Sequence, residues 1–203
     1  MSEITISVNK KLGTLLNQLY ESERKTKLVE IFNYTNKLKE ELTEQKDKIG
    51  FLRNSIDSFL KNIPKFPCKK GCSSCCSIPV SINNFEAEEY ALLIKNGHKI
   101  NKKKYELQEK IDYSDKQKPF EIFSFDNQCI FLTDNGECSI YTIRPLICRT
   151  FFVTDQNCPE IFVNSETIPL YVNFKAEIIH SFTISNLKTN YMVPFISDYL
   201  GQI

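Results

Sequence analysis

Ten positions in the N-terminal part of the chain set a rhythm: Leu28, Ile31, Thr35, Leu38, Leu42, Gln45, Ile49, Leu52, Ile56 and Phe59. The steps alternate three and four, and all but Thr35 and Gln45 are apolar. That is the heptad spacing of a helix laying one seam on a partner. Gly50 inside the stripe weakens a helix by about 1 kcal/mol relative to alanine but need not end it. Extended backward, the stripe meets Arg24, Glu21 and Asn17 and loses phase, while Leu12, Leu15, Leu16 and Leu19 form a separate amphipathic set. The pattern predicts two helices with a joint near residues 20–27. They are expected to pair with each other and with the rest of the chain, ahead of an intermolecular coiled coil.

Pro64 and Pro67 are expected to stop the long helix. Further on, "SINNFEAEEYALLIKNG" predicts a helix capped by Ser81 or Asn83, with acidic residues in its first turns and Gly97 past its end. Residues 99–119 are charged and weakly patterned, a short helix and a surface connection. Asn135-Gly136 between two short apolar runs signals a hairpin. Pro145 suits the first position of a short helix carrying Cys148. The tail mixes β-favouring residues 168–174 with helices around 175–186 and 194–200. The expected fold class is α+β, mostly α. Residues 1–63 form a helical extension, a helical hairpin or coiled-coil-like arm. Residues 64–203 form a small cysteine-cluster metal-binding domain with a short β-hairpin and C-terminal strand and helices.

Charge adds little: 26 basic against 25 acidic residues leave a formal net charge of +1. No global field draws the chain to nucleic acid or to an anionic membrane, and neither is expected as a partner. The local run Lys61, Lys65, Lys69 and Lys70 reads as a solvated rim rather than an anion site. The N-terminus lacks the basic-then-apolar pattern of a secretory signal. No apolar run approaches the roughly 18 residues of a membrane span. The expected compartment is therefore cytoplasmic, where thiols stay reduced and clustered cysteines serve metal or redox chemistry. A protein partner could dock through the N-terminal helices.

The chemistry lies in eight cysteines: Cys68, Cys72, Cys75, Cys76, Cys129, Cys138, Cys148 and Cys158. There is no tryptophan, and the two histidines are His98 and His180, so a multi-ligand metal site must be built mostly of thiolate. Gly71 and the serines after Cys72 let the first loop bend several sulfurs to one point. Cys148, in the first turn of its helix, gains thiolate character from the local dipole. Arg144 and Arg149 would offset negative charge there.

The spacing C-x3-C-x2-C at Cys68, Cys72 and Cys75 is also that of radical S-adenosylmethionine enzymes. Those carry a six-unit partial β/α barrel, which scales to roughly 190 residues from the 250 of a full one. Only about 130 residues lie between Cys75 and Ile203, without a strand–helix alternation, and that reading is rejected. A disulfide framework is disfavoured by the expected compartment and by the strained ring that Cys75 and Cys76 would close.

The combined pattern resembles the YkgJ-like cysteine-cluster family. The residues that carry it are Cys68, Cys72, Cys75 and Cys76, then Cys129-Ile130-Phe131-Leu132, Cys138-Ser139-Ile140-Tyr141, Arg144-Pro145 and Cys148-Arg149. The resemblance covers about residues 66–158. It implies a zinc- or iron-chelating domain with the eight cysteines as candidate ligands. Through longer relatives that are flagellin lysine N-methylases, it implies methyl transfer only at a distance.

If Asn135-Gly136 is a two-residue turn, Thr133 lies opposite Cys138 and Cys129 opposite Thr142. The two cysteines are then four residues apart along one face, roughly 13 Å, too far for one zinc ion with Zn–S near ~2.3 Å. Two sites, an irregular hairpin or a non-ligand cysteine would each resolve this. The expectation is that the four-cysteine cluster and Cys148 serve one centre, with the hairpin cysteines beside it or on a second. For the metal, C-x3-C-x2-C-C is unlike paired zinc knuckles. Tightly spaced cysteines suit an iron–sulfur cluster, giving a small preference for iron–sulfur over zinc. Three roles stay open: a metal-binding protein, a cluster-dependent protein-modifying enzyme, and a structural zinc protein acting through its helical arm. His98 is expected at the surface, His180 packed or partly exposed, and Glu86, Glu88 and Glu89 at a helix N-terminus.

Overall fold

The heptad stripe, expected as one helix, forms two. In the computed structural model, which describes residues 13, 16–61, 71–113, 128–153, 170–171 and 173–201, α1 spans Glu21–Glu44 and α2 spans Lys48–Leu60. Of residues 20–27, the expected joint, Tyr20 lies in a break and 21–27 are helical. The break before them falls at Tyr20, whose N–H donates to the Glu23 carboxylate at 3.3 Å. Arg24, where the stripe loses phase, turns its guanidinium back onto the carbonyls of Leu16, Asn17 and Leu19.

The second break, at residues 45–47, is set by Asp47. Its carboxylate accepts from Gly50 N–H at 2.8 Å and caps α2. A Cβ on Gly50 would run into that carboxylate, 2.7 Å from its Cγ. Gly50 therefore admits the cap that starts a new helix. The stripe keeps its phase across the break, and Ile31, Leu38, Leu42, Ile49, Leu52 and Ile56 are all buried.

The chain forms two units: Met1–Ile63 with Val172–Lys188, and Pro64–Tyr171 with Thr189–Ile203. The helix Phe174–Asn186 falls within 64–203, the span read from sequence as the cysteine domain, yet it packs on α1 and α2. Every residue from Ala176 to Thr183 is buried. Asn173 caps it, accepting from Ala176 N–H at 3.1 Å, and its amide reaches the Phe59 carbonyl at 3.2 Å. His180 is buried on it, with Nδ1 3.4 Å from Glu177 Oε2.

In the second unit, β1 (Ser81–Asn83) runs antiparallel to the strand Thr189–Tyr191, pairing Ser81 with Tyr191 and Asn83 with Thr189. Each strand runs straight into a helix: α3, Asn84–Lys95, and the helix Met192–Leu200. These two helices pack together over Ile82, Ala87, Tyr90, Ala91, Ile130, Phe131, Ile140, Met192, Val193, Phe195 and Ile196. A further helix, α4 (Lys102–Glu109), packs on the last one. Then come α5, Leu146–Thr150, and a minimal ladder of β2 (Phe152–Val153) with β3 (Leu170–Tyr171). In chain order Phe174–Asn186 is α6, Thr189–Tyr191 is β4 and Met192–Leu200 is α7. The architecture is mostly helical with long N-terminal helices, as expected. No helix of the described residues is long and apolar enough to cross a membrane.

Candidate metal centre

Three segments of the second unit carry the described thiols. The first is the loop after Gly71, a glycine at φ +88°. It closes in a 3-10 turn, Ser74–Ser77, with Cys76 N–H on the Ser73 carbonyl at 2.9 Å and Ile78 N–H on the Cys75 carbonyl at 3.2 Å. The second is the Cys129–Cys138 hairpin, joined to the first where Cys129 N–H donates to the Cys76 carbonyl at 2.8 Å. The third is α5, which carries Cys148.

The hairpin is irregular. Thr133 N–H pairs with the Glu137 carbonyl at 2.9 Å, Gly136 N–H returns to Thr133 at 2.9 Å, and Gly136 sits at φ +74°. This is a three-residue loop with a left-handed glycine, in place of the expected two-residue turn. Leu132, not Thr133, then lies opposite Cys138. Cys129 does not continue a strand either, because Leu132 N–H bonds to its carbonyl at 3.1 Å and folds it into a turn. The premise of a 13 Å separation therefore fails. The hairpin tip rests on the first loop, with the Gly136 Cβ position 3.8 Å from Ser73 Oγ.

Cys72, Cys75, Cys76, Cys129, Cys138 and Cys148 are all half-buried free thiols. Four of them share one electrostatic neighbourhood. Burial pushes Cys129 up to about 12, and Cys138 and Cys75 add to the rise. Burial also raises Cys148 well above its ordinary value, with Cys75, Cys129, Glu86 and Cys138 contributing. The helix-end effect expected at Cys148 is overridden, because α5 has a single turn while desolvation and like charges all oppose the thiolate. Cys75 is raised by the hydrogen bond it shares with the Cys76 thiol, then by burial, and Cys138 is raised by burial. Cys72 lies on the same loop, and Cys68 and Cys158 lie outside the described residues.

The two arginines divide the expected role. Arg144, stacked 4.2 Å over the Tyr141 ring, offsets charge on Cys75 and Cys138. Arg149 is buried and acts as a clasp, its guanidinium binding the carbonyls of Arg144 (3.1 Å) and Thr142. His98, expected at the surface, is partly exposed. Its Nε2 lies 3.0 Å from Ser139 Oγ and its ring 6.1 Å from that of Phe131. Glu86 does cap α3, accepting from Asn83 N–H at 3.1 Å, but its other oxygen accepts from Leu146 N–H at 2.7 Å. The sequence hid that second contact because the partner is sixty residues away.

The donor chemistry fits a thiophilic metal. Several thiols that raise one another's proton affinity gain most from a cation that replaces their protons. Among the described residues, no three His, Cys, Asp or Glu side chains close on a single point as one ion would require. Beside the hairpin lies a cavity of about 340 Å³, lined by Ile100, Ile130, Phe131 and Leu132 with Lys99, Asn101, Thr133, Asp134 and Ser139.

A small helical unit whose loops gather thiols and few other donors belongs to the class of cysteine-rich metal-chelating domains. Residues 67–167 match the family CxxCxxCC, described as "Putative zinc- or iron-chelating domain", and the chain carries a domain of that family. It spaces its first two cysteines by three residues where the family's title has two. No curated protein and no solved structure matches the chain.

Proposed function

We propose that the protein holds an iron–sulfur cluster through thiolates, with Cys75, Cys129, Cys138 and Cys148 at the heart of the ligand set. One observation carries the reading: these thiols come from three separate segments of one unit, the hairpin is joined to the first loop where Cys129 N–H meets the Cys76 carbonyl at 2.8 Å, and Cys75 raises the proton affinity of the other three. With Cys72 and Cys76 on the same loop, and Cys68 and Cys158 in the chain, there is more sulfur than one zinc ion uses. Arg144 suits a cluster that stays anionic, since its charge faces two of the thiols. A bound cluster would supply one-electron chemistry; the chain's own residues gather the sulfurs, exclude part of the solvent and supply the counter-charge. Anaerobic purification followed by a visible spectrum and assays of iron, sulfide and zinc tests this. Iron and sulfide in comparable amounts are expected. A colourless protein with about one or two zinc ions per chain would replace the cluster by zinc.

The cavity beside the hairpin favours a second reading, cluster-dependent modification of a protein or peptide such as lysine methylation. Its volume is within the range of small-molecule sites, and its lining mixes apolar and polar groups. Titration calorimetry with S-adenosylmethionine tests that role. No binding heat from the metal-loaded protein would end it.

A further inference from the structure

One face of α3 is turned against the segment that joins Cys138 to Cys148. Two side chains one turn apart make the contact. Tyr90, fully buried, donates its hydroxyl to the Ile143 carbonyl at 2.8 Å, and its ring stands 5.4 Å from that of Phe131, two residues beyond Cys129. Glu86, 2% exposed, accepts from Leu146 N–H at 2.7 Å through one oxygen. Its other oxygen accepts from the Asn83 backbone at 3.1 Å and the Asn83 amide at 2.9 Å.

Leu146 opens α5, and Cys148 follows two residues later. The first N–H groups of a helix have no partner within it and need an outside acceptor. Pro145, at the cap position, makes no side-chain cap hydrogen bond, because its ring carries no acceptor. A buried carboxylate is tolerated only when hydrogen bonds replace its water, and those on Glu86 do so at both ends. We propose that Glu86 is a positioning residue of the thiol centre: it caps the Cys148 helix from another element and, with Tyr90, fixes the arm from Cys138 to Cys148 so that Cys148 stands among the other thiols. The inference rests on the metal-binding reading above.

Glu86→Ala, Glu86→Gln, Tyr90→Phe and Asn83→Ala, each in the full chain, test it, with Zn²⁺ and Co²⁺ as probes. Asn83→Ala breaks the side-chain cap of α3 and removes one amide from Glu86, but the Asn83 N–H and the Leu146 contact remain, so its effect on the centre should be the smaller one. Outer-shell partners of metal ligands are worth 10- to 100-fold in affinity. Glu86→Ala is expected to weaken Zn²⁺ by about that factor and to lose one thiolate's share of the Co²⁺ charge-transfer absorbance. Glu86→Gln, which keeps an acceptor for Leu146 N–H, should fall between it and wild type, as should Tyr90→Phe. In the metal-free protein, alkylation of Cys148 relative to Cys129, read by mass spectrometry, should accelerate in Glu86→Ala and by clearly less in Asn83→Ala. Equal losses of affinity in Glu86→Ala and Asn83→Ala, or an unchanged Cys148 rate in Glu86→Ala, would overturn the proposal. Wild-type protein that binds neither metal nor iron defeats the metal reading itself. The Cys148 alkylation pattern then still decides whether Glu86 positions that thiol.

Discussion

Loading the thiol centre with a cation must expel protons, and the number expelled depends on how strongly the fold holds them. A thiol at its ordinary value of 9.0 is half ionised at pH 9, whereas Cys129 at about 12 keeps nearly all of its proton. Cys75, Cys138 and Cys148 are raised as well. Four ordinary thiols would release about two protons on binding Zn²⁺ at pH 9 and about four at pH 7. The four thiols with raised proton affinity should release close to four at both. Calorimetric titration with Zn²⁺, buffered by a weak chelator, in two buffers of equal pH and different ionisation heat counts the protons directly. The metal-free protein should show the linked effect on stability. A thiol raised in the folded state binds more protons there than in the unfolded chain between its two values, so stability falls as pH rises above about 9 towards 12. Urea melts of the metal-free protein at pH 8 and pH 10 should move to lower midpoints. Release that drops to two protons at pH 9, with no loss of stability at pH 10, would show that these thiols are neither buried nor coupled as described.

Gly50→Ala should change stability little in the native background, because the helix gain of about 1 kcal/mol offsets a lost cap of about the same size. In an Asp47→Ala background the same change should stabilise by about 1 kcal/mol, and additive urea midpoints across this cycle would refute the role assigned to Gly50. Phe195→Ala, at a side chain with no exposure, should cost about 3–5 kcal/mol and lower the Tm of the second unit by scanning calorimetry. A Tm within a degree of wild type would contradict the core assignment. Arg144→Gln should slow alkylation of Cys75 and Cys138 at pH 8 while leaving Cys129 and Cys148 unchanged, since Arg144 favours the thiolates of that pair. Equal slowing at all four would show a general rather than a local effect.

What the sequence revealed follows from how local each signal is. Leu38, Leu42, Ile49, Leu52 and Ile56 could be assigned to a buried seam because a three-and-four spacing is a property of the helix itself. The break at residues 45–47 stayed hidden because Leu42 and Ile49 are still one heptad apart across it. Its only local sign was Asp47 three residues before a glycine. Asn135-Gly136 announced a hairpin, but its register depended on Gly136 adopting positive φ as the third loop residue. Placing Cys129 depended on a turn that propensity does not mark. Glu86 read correctly as a first-turn carboxylate; its contact with Leu146 belongs to tertiary structure alone.

The same distinction bears on where the cysteine domain ends. The family match stops at residue 167, yet the core against which Cys129 and Cys138 pack takes Met192, Val193, Phe195 and Ile196 from α7. That helix is held in place by β4, which pairs with β1 just ahead of Glu86. Each of these four side chains contributes about 1.5–3 kcal/mol on burial, together comparable with the 5–15 kcal/mol that usually holds a domain folded. The motif that names the family therefore supplies sulfur, while a segment outside it supplies much of the packing that keeps α3 in position. Since α3 presents Glu86 and Tyr90 to the Cys138–Cys148 arm, the order of the thiol centre depends on residues that carry no metal-binding signature.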